Sequence, residues 1–442
     1  MKTIKLLICK IVNLILRKLG RGTSFPGKLL LKLDKNYVGY FKMPKTVIAV
    51  TGSAGKGSTT KIITEVLKKS GYTVSYNEYG SNLLRGILSL LIDSSDIHGR
   101  IKNDALVVEV DERYTKDVFK IIKPQYVVIT NIFRDQPPRH GDCDLVFEKI
   151  NEALTSNMHL ILNGDDPYLK QFTLNKKYKV SYYGINQNKY SYSKNKFNNI
   201  NITYCPKCSN KLKYNYYHFE SLGDYYCPTC DFKREKIDIL AQKLDLDKKY
   251  MIVNDNKINI SFDVLYYAYN ILAAYTVLKL LNIDEKNIAT FISDEQNKKL
   301  NTSYSYKNRK VYVLNSKNEN STTFNEAILF TSNKKIEKTI VVGWKEISRR
   351  YKFNDISWLY DIEFELLNDK KTDKIICVGR DAYSIAQRMK YAGFDNKQIK
   401  VYKNLEEAEN MIKNKSKGDV FAILNFDYVI PFNNLMEEKY DN

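Results

Sequence analysis

The sequence predicts an α/β protein. A phosphate-binding domain on a mainly parallel sheet, interrupted by a four-cysteine ribbon, is followed by a second, smaller α/β domain. Three observations predict it. An apolar run, Thr46-Val47-Ile48-Ala49-Val50, leads into Thr51-Gly52-Ser53-Ala54-Gly55-Lys56-Gly57-Ser58-Thr59-Thr60. Short apolar runs alternate with helical stretches on both sides of a polar middle region, and two Cys-x-x-Cys pairs lie within that region. At 442 residues the chain exceeds one average domain, and a hydrophobic fraction of 43% supports packed cores and excludes wholesale disorder.

Residues 1–44 form a basic amphipathic segment. Ile4 to Lys18 is apolar but interrupted by charge. It lacks the unbroken apolar core and cleavage site of a signal peptide, and it is too short and too charged to span a bilayer. At helical spacing Lys10, Asn13 and Arg17 share one side, and Leu7, Ile11, Leu14 and Ile15 another. Such a helix either rests on a membrane surface or packs on its own domain.

The first alternating block runs from residue 45 to about 165. Expected strands are Thr46–Val50, Ala105–Val110, Tyr126–Thr130 and His159–Leu162; expected helices are Lys56–Lys69, Asn82–Leu91, Tyr114–Ile122 and Asp144–Leu154. Strands separated by helices imply a sheet covered on both faces, with functional residues beyond the carboxyl ends of the strands. The glycine-rich run sits at such an end. Gly52, Gly55 and Gly57 let backbone N–H groups converge on phosphate, the helix N-terminus adds partial positive charge, and Lys56 neutralises a terminal phosphate. Ser58 or Thr59 offers a hydroxyl to Mg²⁺. Only two residues separate Gly52 from Gly55, two fewer than in the common G-x4-GK-[ST] loop.

Val107-Val108-Glu109-Val110-Asp111-Glu112 ends the second expected strand in carboxylates, and Glu109 is the candidate Mg²⁺ ligand across from the loop. Thr130-Asn131-Ile132-Phe133-Arg134-Asp135-Gln136 closes the next strand with groups suited to orienting phosphate or metal. Asn163-Gly164-Asp165-Asp166-Pro167 has the composition of a plain turn.

Between about 170 and 260 the chain is Tyr/Asn/Lys-rich without helical period. Cys205-Pro206-Lys207-Cys208 and Cys227-Pro228-Thr229-Cys230 lie here, eighteen residues apart. Two-residue spacers let both sulfurs of a pair turn onto one ion. Four thiolates then close a tetrahedral Zn²⁺ shell with no open position, a structural site spanning about 203–235. Cys9, Cys143 and Cys377 show no disulfide framework, which with a nucleotide site implies a reducing cytoplasm. Helical sequence returns at Asp263–Leu281. Beyond residue 302 come strand-like Val311–Leu314, Thr339–Val342, Lys374–Val378 and Phe421–Leu424, with helical Ala382–Tyr391 and Leu405–Ile412. The division expected is 1–44, 45–302 and 303–442.

In this order the motifs resemble the MurT family, Mur-ligase-like subunits of lipid II isoglutaminyl synthase. The glycine run has the superfamily's short form. The likeness also runs through Gly20–Lys28, Gly80-Ser81-Asn82-Leu83-Leu84-Arg85-Gly86, Glu109–Glu112, Asn131–Gln136, Asn163–Pro167 and the cysteine insertion with Leu222–Tyr226. It continues through Tyr269-Asn270-Ile271-Leu272-Ala273-Ala274, Phe324-Asn325-Glu326, Asp355–Asp361 and Tyr391-Ala392-Gly393. The resemblance implies a Mur ligase central domain and a smaller Rossmann-like C-terminal domain. It implies ATP-dependent amidation of the D-glutamate α-carboxylate of the lipid II stem peptide through an acyl phosphate, with ammonia from a glutaminase partner, GatD. It makes Asn270 the adenine-side residue.

The chain departs from that pattern in three places. The Asp294–Ser305 region has no Arg, and Glu319–Thr323 is a longer, proline-free version of the family's segment after Lys317-Asn318. The family's aspartate segment for the glutaminase centre is replaced by Gly343-Trp344-Lys345-Glu346-Ile347-Ser348-Arg349-Arg350-Tyr351, where Glu346 is the nearby acid. Two other readings compete. A free-standing Mur-type amino-acid ligase needs a sizeable UDP-binding domain, for which a phosphate-loop domain beginning at residue 45 leaves no room. A basic zinc-ribbon ATPase on nucleic acid draws on the net charge of +20, yet no basic stripe with regular aromatic interleaving appears, so no nucleic acid is expected.

Overall fold

The computed structural model describes residues 2–19, 24–78, 81–134, 142–198, 200–297, 303–316, 319–345 and 355–436. The first half carries β1 (Thr46–Thr51), β2 (Val74–Tyr76), β3 (Ala105–Glu109), β4 (Tyr126–Ile129), β5 (His159–Asn163) and β6 (Lys179–Ile185). The polar middle supplies β7 (Lys213–Phe219), β8 (Leu222–Tyr226), β9 (Ile239–Asp245), β10 (Tyr250–Val253) and β11 (Asn256–Asn259). The last third supplies β12 (Ser303–Tyr306), β13 (Arg309–Ser316), β14 (Lys338–Trp344), β15 (Thr372–Gly379), β16 (Ile399–Tyr402) and β17 (Asp419–Asn425).

Among the described residues these strands form a nine-stranded sheet ordered β11-β10-β9-β6-β5-β4-β1-β3-β2, a six-stranded sheet ordered β12-β13-β17-β14-β15-β16, and the hairpin β7-β8. Pairing from β2 through β9 is parallel, and β10 and β11 close that edge antiparallel. The chain runs from β1 out to β2, back to β3, and only then to β4 on the other side of β1. The glycine run therefore follows the strand where the order reverses, the place where α/β sheets open a crevice.

Side chains alternate across the strands, so one run feeds two cores. Ile48 and Val50 join Ile63, Val66, Leu272 and Val277 on one face; Val47 and Ala49 join Ile87, Leu91, Val118 and Ile150 on the other. Helices Lys56–Lys69 and Tyr266–Leu280 cover the first face. The second sheet repeats the device, with Ile340 and Val342 on one side and Val341 on the other.

The mainly parallel α/β architecture matches the expectation, with local differences. The helix expected at Asn82–Leu91 is Leu84–Ser94, and Tyr114–Ile122 divides into a 3-10 turn, Glu112–Tyr114, and a helix, Thr115–Ile122. The segment between the cysteine pairs, expected to fold back as a hairpin, is β7-β8, whereas helices Glu285–Asn297, Ser321–Asn333 and Phe426–Met436 and strands β2, β6, β9–β12 and β16 were not anticipated. In β6–β8 tyrosine fills both buried and half-exposed positions, which blurs the period-2 signal. Phe426–Met436 carries Pro431 inside it, a breaker on sequence grounds.

Helix Lys2–Lys18 packs on its own domain, but by the unexpected side. Lys10 Nζ donates to the carbonyls of Ile92 (2.5 Å) and Ser95, Asn13 donates to Asp93 at 2.9 Å, and Arg17 grips the same carboxylate at 2.6 and 2.8 Å. Its polar face is the docking face. Among the described residues no helix is long and apolar enough to cross a membrane.

Candidate functional site

The phosphate loop is built from backbone that glycine alone tolerates at two points. Gly52 and Gly55 have φ of 124° and 81°, left-handed values that penalise any Cβ. A Cβ at Gly52 would also strike Thr130 Oγ1, and one at Gly55 would strike Asn270 Oδ1. Thr130 and Asn131, expected to face phosphate or metal, instead brace the loop. The N–H of Ala54 donates to Asn131 Oδ1 at 2.8 Å; Thr130 Oγ1 and Asn131 Nδ2 donate to the Ala54 carbonyl at 2.7 and 2.8 Å. Phe133 N–H donates to Ser53 Oγ at 2.9 Å. Asp135 and Gln136 lie outside the described residues.

Lys56 opens the helix that follows and makes a largely buried ion pair with Glu112 at 3.1 Å, besides donating to the Gly52 carbonyl. Glu112 is the residue that sequence reasoning passed over in favour of its neighbour. Glu109, at the end of β3, accepts from Asn82 Nδ2 at 2.8 Å. Its other carboxylate oxygen lies 3.1 Å from where a Cβ at Gly57 would stand. Gly57 thus keeps the helix N-terminus open to Glu109. Of the two hydroxyls, Ser58 lines the cleft, whereas Thr59 is fully buried and its Oγ1 makes no hydrogen bond among the described residues.

The cleft has a volume of about 460 Å³ and lies between the two sheets; ligand pockets typically span ~300–1,000 Å³. Lys56, Ser58, Glu109 and Asn270 line one wall; Val313–Ser316, Glu326 and Phe426 line the other. Asn270 stands against Gly55, which places it beside the phosphate loop. Several contacts hold the walls together, the Tyr266 N–H donating to Glu326 among them. Arg134 pairs with Asp361 at 2.6 Å, and the Asn198 N–H donates to Glu363 at 2.6 Å. Glu220 accepts from Asn325 at 3.0 Å and from Thr322 at 3.3 Å. Burial pushes the Glu220 carboxyl up to about 7 and that of Glu326 up to about 8. The Phe324-Asn325-Glu326 and Asp355–Asp361 motifs are therefore joints of the cleft. Glu346 lies outside the described residues, and of its segment only Gly343, Trp344 and Lys345 are described. Trp344 packs on Phe324 and Trp358 and donates to Asp381 at 2.8 Å.

Asn163–Pro167 is a turn, as its composition says, and also a structural hub. Asp165 is fully buried and accepts from Arg234 Nε (2.7 Å), the Ile185 N–H (2.8 Å) and the Tyr269 hydroxyl (2.9 Å), with Arg234 Nη2 2.6 Å away as its ion-pair partner. Arg234 follows the second cysteine pair, so this carboxylate ties the insertion to the sheet. Cys205, Cys208, Cys227 and Cys230 bring their sulfurs within 4.8 Å of one another, with Cys205–Cys230 at 3.6 Å and Cys208–Cys227 at 3.4 Å. A tetrahedron with Zn–S bonds of ~2.3 Å has edges of ~3.8 Å, so the donor set fits the metal. The Asn210 backbone N–H and side chain hold the Cys208 thiol down to about 6, whereas desolvation and the neighbouring sulfurs raise those of Cys205 and Cys230.

Residues 50–221 match the Mur ligase middle domain and residues 317–428 the MurT ligase C-terminal domain. The chain is similar to the MurT subunit of the glutamine-hydrolysing lipid II isoglutaminyl synthase of Staphylococcus aureus (strain COL), at 28% identity over 87% of this chain and 86% of that one. The same subunit from Streptococcus pneumoniae (strain ATCC BAA-255 / R6) is 25% identical over 99% and 97%. Among solved structures, a pseudomurein peptide ligase type C from Methanothermus fervidus superposes with a TM-score of 0.68 at 22% identity, covering 91% of this chain and 80% of that one. MurF ligase from Thermotoga maritima in complex with ADP gives 0.59 at 18%, covering 91% and 81%; both structures speak to the fold.

Sheet order, short phosphate loop and two-walled cleft accompany a match over residues 50–221 to the middle domain of the Mur ligases, which are ATP-dependent ligases. Within that class, the match of the C-terminal region and the near full-length likeness to the two subunits make the chain a MurT-like protein.

Proposed function

We propose that the chain is the ATP-dependent, amide-forming subunit of a lipid II isoglutaminyl synthase, converting the D-glutamate α-carboxylate of the stem peptide to a carboxamide. The observation that carries this reading is the meeting of Lys56, Ser58 and Glu109 in a cleft whose other wall belongs to a MurT-type C-terminal region. Division into 1–44, 45–302 with the ribbon at about 203–235, and 303–442 belongs to the same proposal.

The backbone N–H groups of Gly55, Lys56 and Gly57 cradle ATP phosphates at the helix N-terminus, and Lys56 leaves Glu112 to meet the terminal phosphate. Ser58 and Glu109 would hold Mg²⁺, which would supply charge to offset that on the transferring phosphoryl group. Asn270 positions the nucleotide from the Gly55 side. The substrate carboxylate attacks the terminal phosphorus and the bond to ADP breaks; ammonia then attacks the acyl carbon, loses a proton, and phosphate departs. Closing the two walls keeps water from the acyl phosphate. The four cysteines would hold Zn²⁺ in a purely structural role.

Ammonia comes from a GatD-type glutaminase bound as a second subunit. With Glu346 as the acid in the segment that departs from the family, glutamine serves this chain poorly and free ammonia serves it well. Incubating the chain with ATP, purified lipid II and either ammonium or glutamine plus the partner, then weighing the product, tests both statements. A carboxamide made with ammonium is expected. Addition of an amino acid would replace the proposal with a free-standing ligase, and glutamine use unchanged in Glu346→Gln would discard the role of that segment.

A further inference from the structure

Helix Lys2–Lys18 turns its apolar face outward. Ile4, Leu7, Ile8, Ile11, Leu14 and Ile15 recur at the three- and four-residue spacing of a single stripe, and each is between 43% and 64% exposed. A helix on a globular protein normally buries that stripe and shows its polar face to water. Here the assignment is reversed, and the reversal is held by specific bonds. Lys5 pairs with Asp34 at 2.9 Å, Lys10 reaches two carbonyls at the end of helix Leu84–Ser94, and Asn13 and Arg17 share Asp93. Leu6 and Cys9 alone anchor the underside with apolar surface.

The charge around the stripe selects its occupant. No Asp or Glu precedes Asp34, while Lys2, Lys18, Lys28 and Lys32 are exposed on this helix and the next. We infer that this face seats the protein on an anionic phospholipid bilayer, with the helix lying in the plane of the interface and the lysines at the headgroups. A second copy of the chain would bring the same uncompensated positive charge against it. A length of 17 residues suits lying on the bilayer, not crossing it. The inference stands on the helix alone and does not depend on the amidation chemistry.

The test uses the full chain with vesicles of phosphatidylcholine alone or mixed with phosphatidylglycerol. Co-sedimentation is expected with the anionic vesicles, at least tenfold more than with the neutral ones, and is weakened by salt. Ile11→Glu with Leu14→Glu should abolish it while zinc content and thermal midpoint stay unchanged, since both side chains are exposed. Should that variant misfold, Ile15→Trp decides the matter by itself, because Trp344 and Trp358 are buried. Its emission should shift blue and be quenched by brominated lipid. Equal sedimentation of the folded charged variant, absence of quenching, or a concentration-dependent dimer that the charged variant loses would each overturn the inference.

Discussion

Glu109 and Asp165 occupy equivalent places and do opposite work. Both are carboxylates at the carboxyl ends of buried parallel strands on the same edge of the same sheet, Glu109 as the last residue of β3 and Asp165 two residues past β5. Asp165 is wholly buried and meets Arg234, Tyr269 and the Ile185 N–H. Among the described residues the Glu109 carboxylate accepts from Asn82 alone, and it looks across Gly57 into the cleft. Saturation by partners makes a carboxylate part of the architecture. A carboxylate with spare lone pairs beside a helix N-terminus keeps its charge for something that arrives.

The comparison can be broken most forcefully at Arg234. Arg234→Ala leaves the buried Asp165 charge without its countercharge, a change that costs about 3–5 kcal/mol. Chemical denaturation of the variant should show that loss, with nucleotide affinity altered little once the protein is folded. An unchanged midpoint would mean that Asp165 is not the hub described.

Substitutions on the cleft side should do the reverse. Lys56→Ala and Glu109→Gln are expected to lower ATP-dependent turnover by about 10²–10³-fold, the usual loss when a group facing transferring charge is removed. Melting temperature should hardly move in Glu109→Gln, whereas Lys56→Ala also leaves the buried Glu112 without its countercharge and should lower it. Full turnover in a folded Lys56→Ala protein would remove the phosphate-loop assignment.

The smallest effect sharpens the comparison through a third carboxylate, Glu220, which is 4% exposed and joins the two walls. Its folded value near 7 lies above the ordinary 4.5, because burial disfavours the charged form. A group raised in this way contributes stability fully below about 4.5 and loses it as pH climbs to about 7, at a slope on the order of 1 kcal/mol per pH unit. Thermal midpoints measured from pH 5 to 8 should therefore decline, and Glu220→Gln should flatten the decline. A midpoint rising over that window would contradict the sign.

The phosphate loop and the cysteine cluster were legible because each is a compact pattern: glycines, lysine and hydroxyls in ten consecutive residues, or paired thiols at fixed spacers. Fold class followed from the apolar alternation of the strands that became β1, β3, β4 and β5. What stayed hidden depends on partners far apart in sequence. Nothing near Asp165 points to Arg234 or Tyr269, and Glu112 is distinguished from Glu109 only by which of them Lys56 meets. The spacing in residues 4–17 correctly separated two helix faces, but the inward one was decided by Asp93 and two carbonyls on another helix. Tyrosine concealed the strands of the middle region, since one residue type serves both sides of a pleat there.

Strands β6 and β9 are direct neighbours, Tyr183 opposite Ile239 and Ile185 opposite Ala241, yet the entire cysteine insertion separates them in the chain. Nothing local can bring them together, so loop-closure entropy slows this joint relative to the rest of the sheet. Drawing four sulfurs onto one ion would shorten the effective loop before β9 arrives and pre-form the arm bearing Arg234. Metal should accordingly govern the rate of assembly: with a chelator, or with Cys227→Ser, amides in β9–β11 gain protection late in pulsed hydrogen exchange, while those of β1, β3 and β4 keep their normal time course.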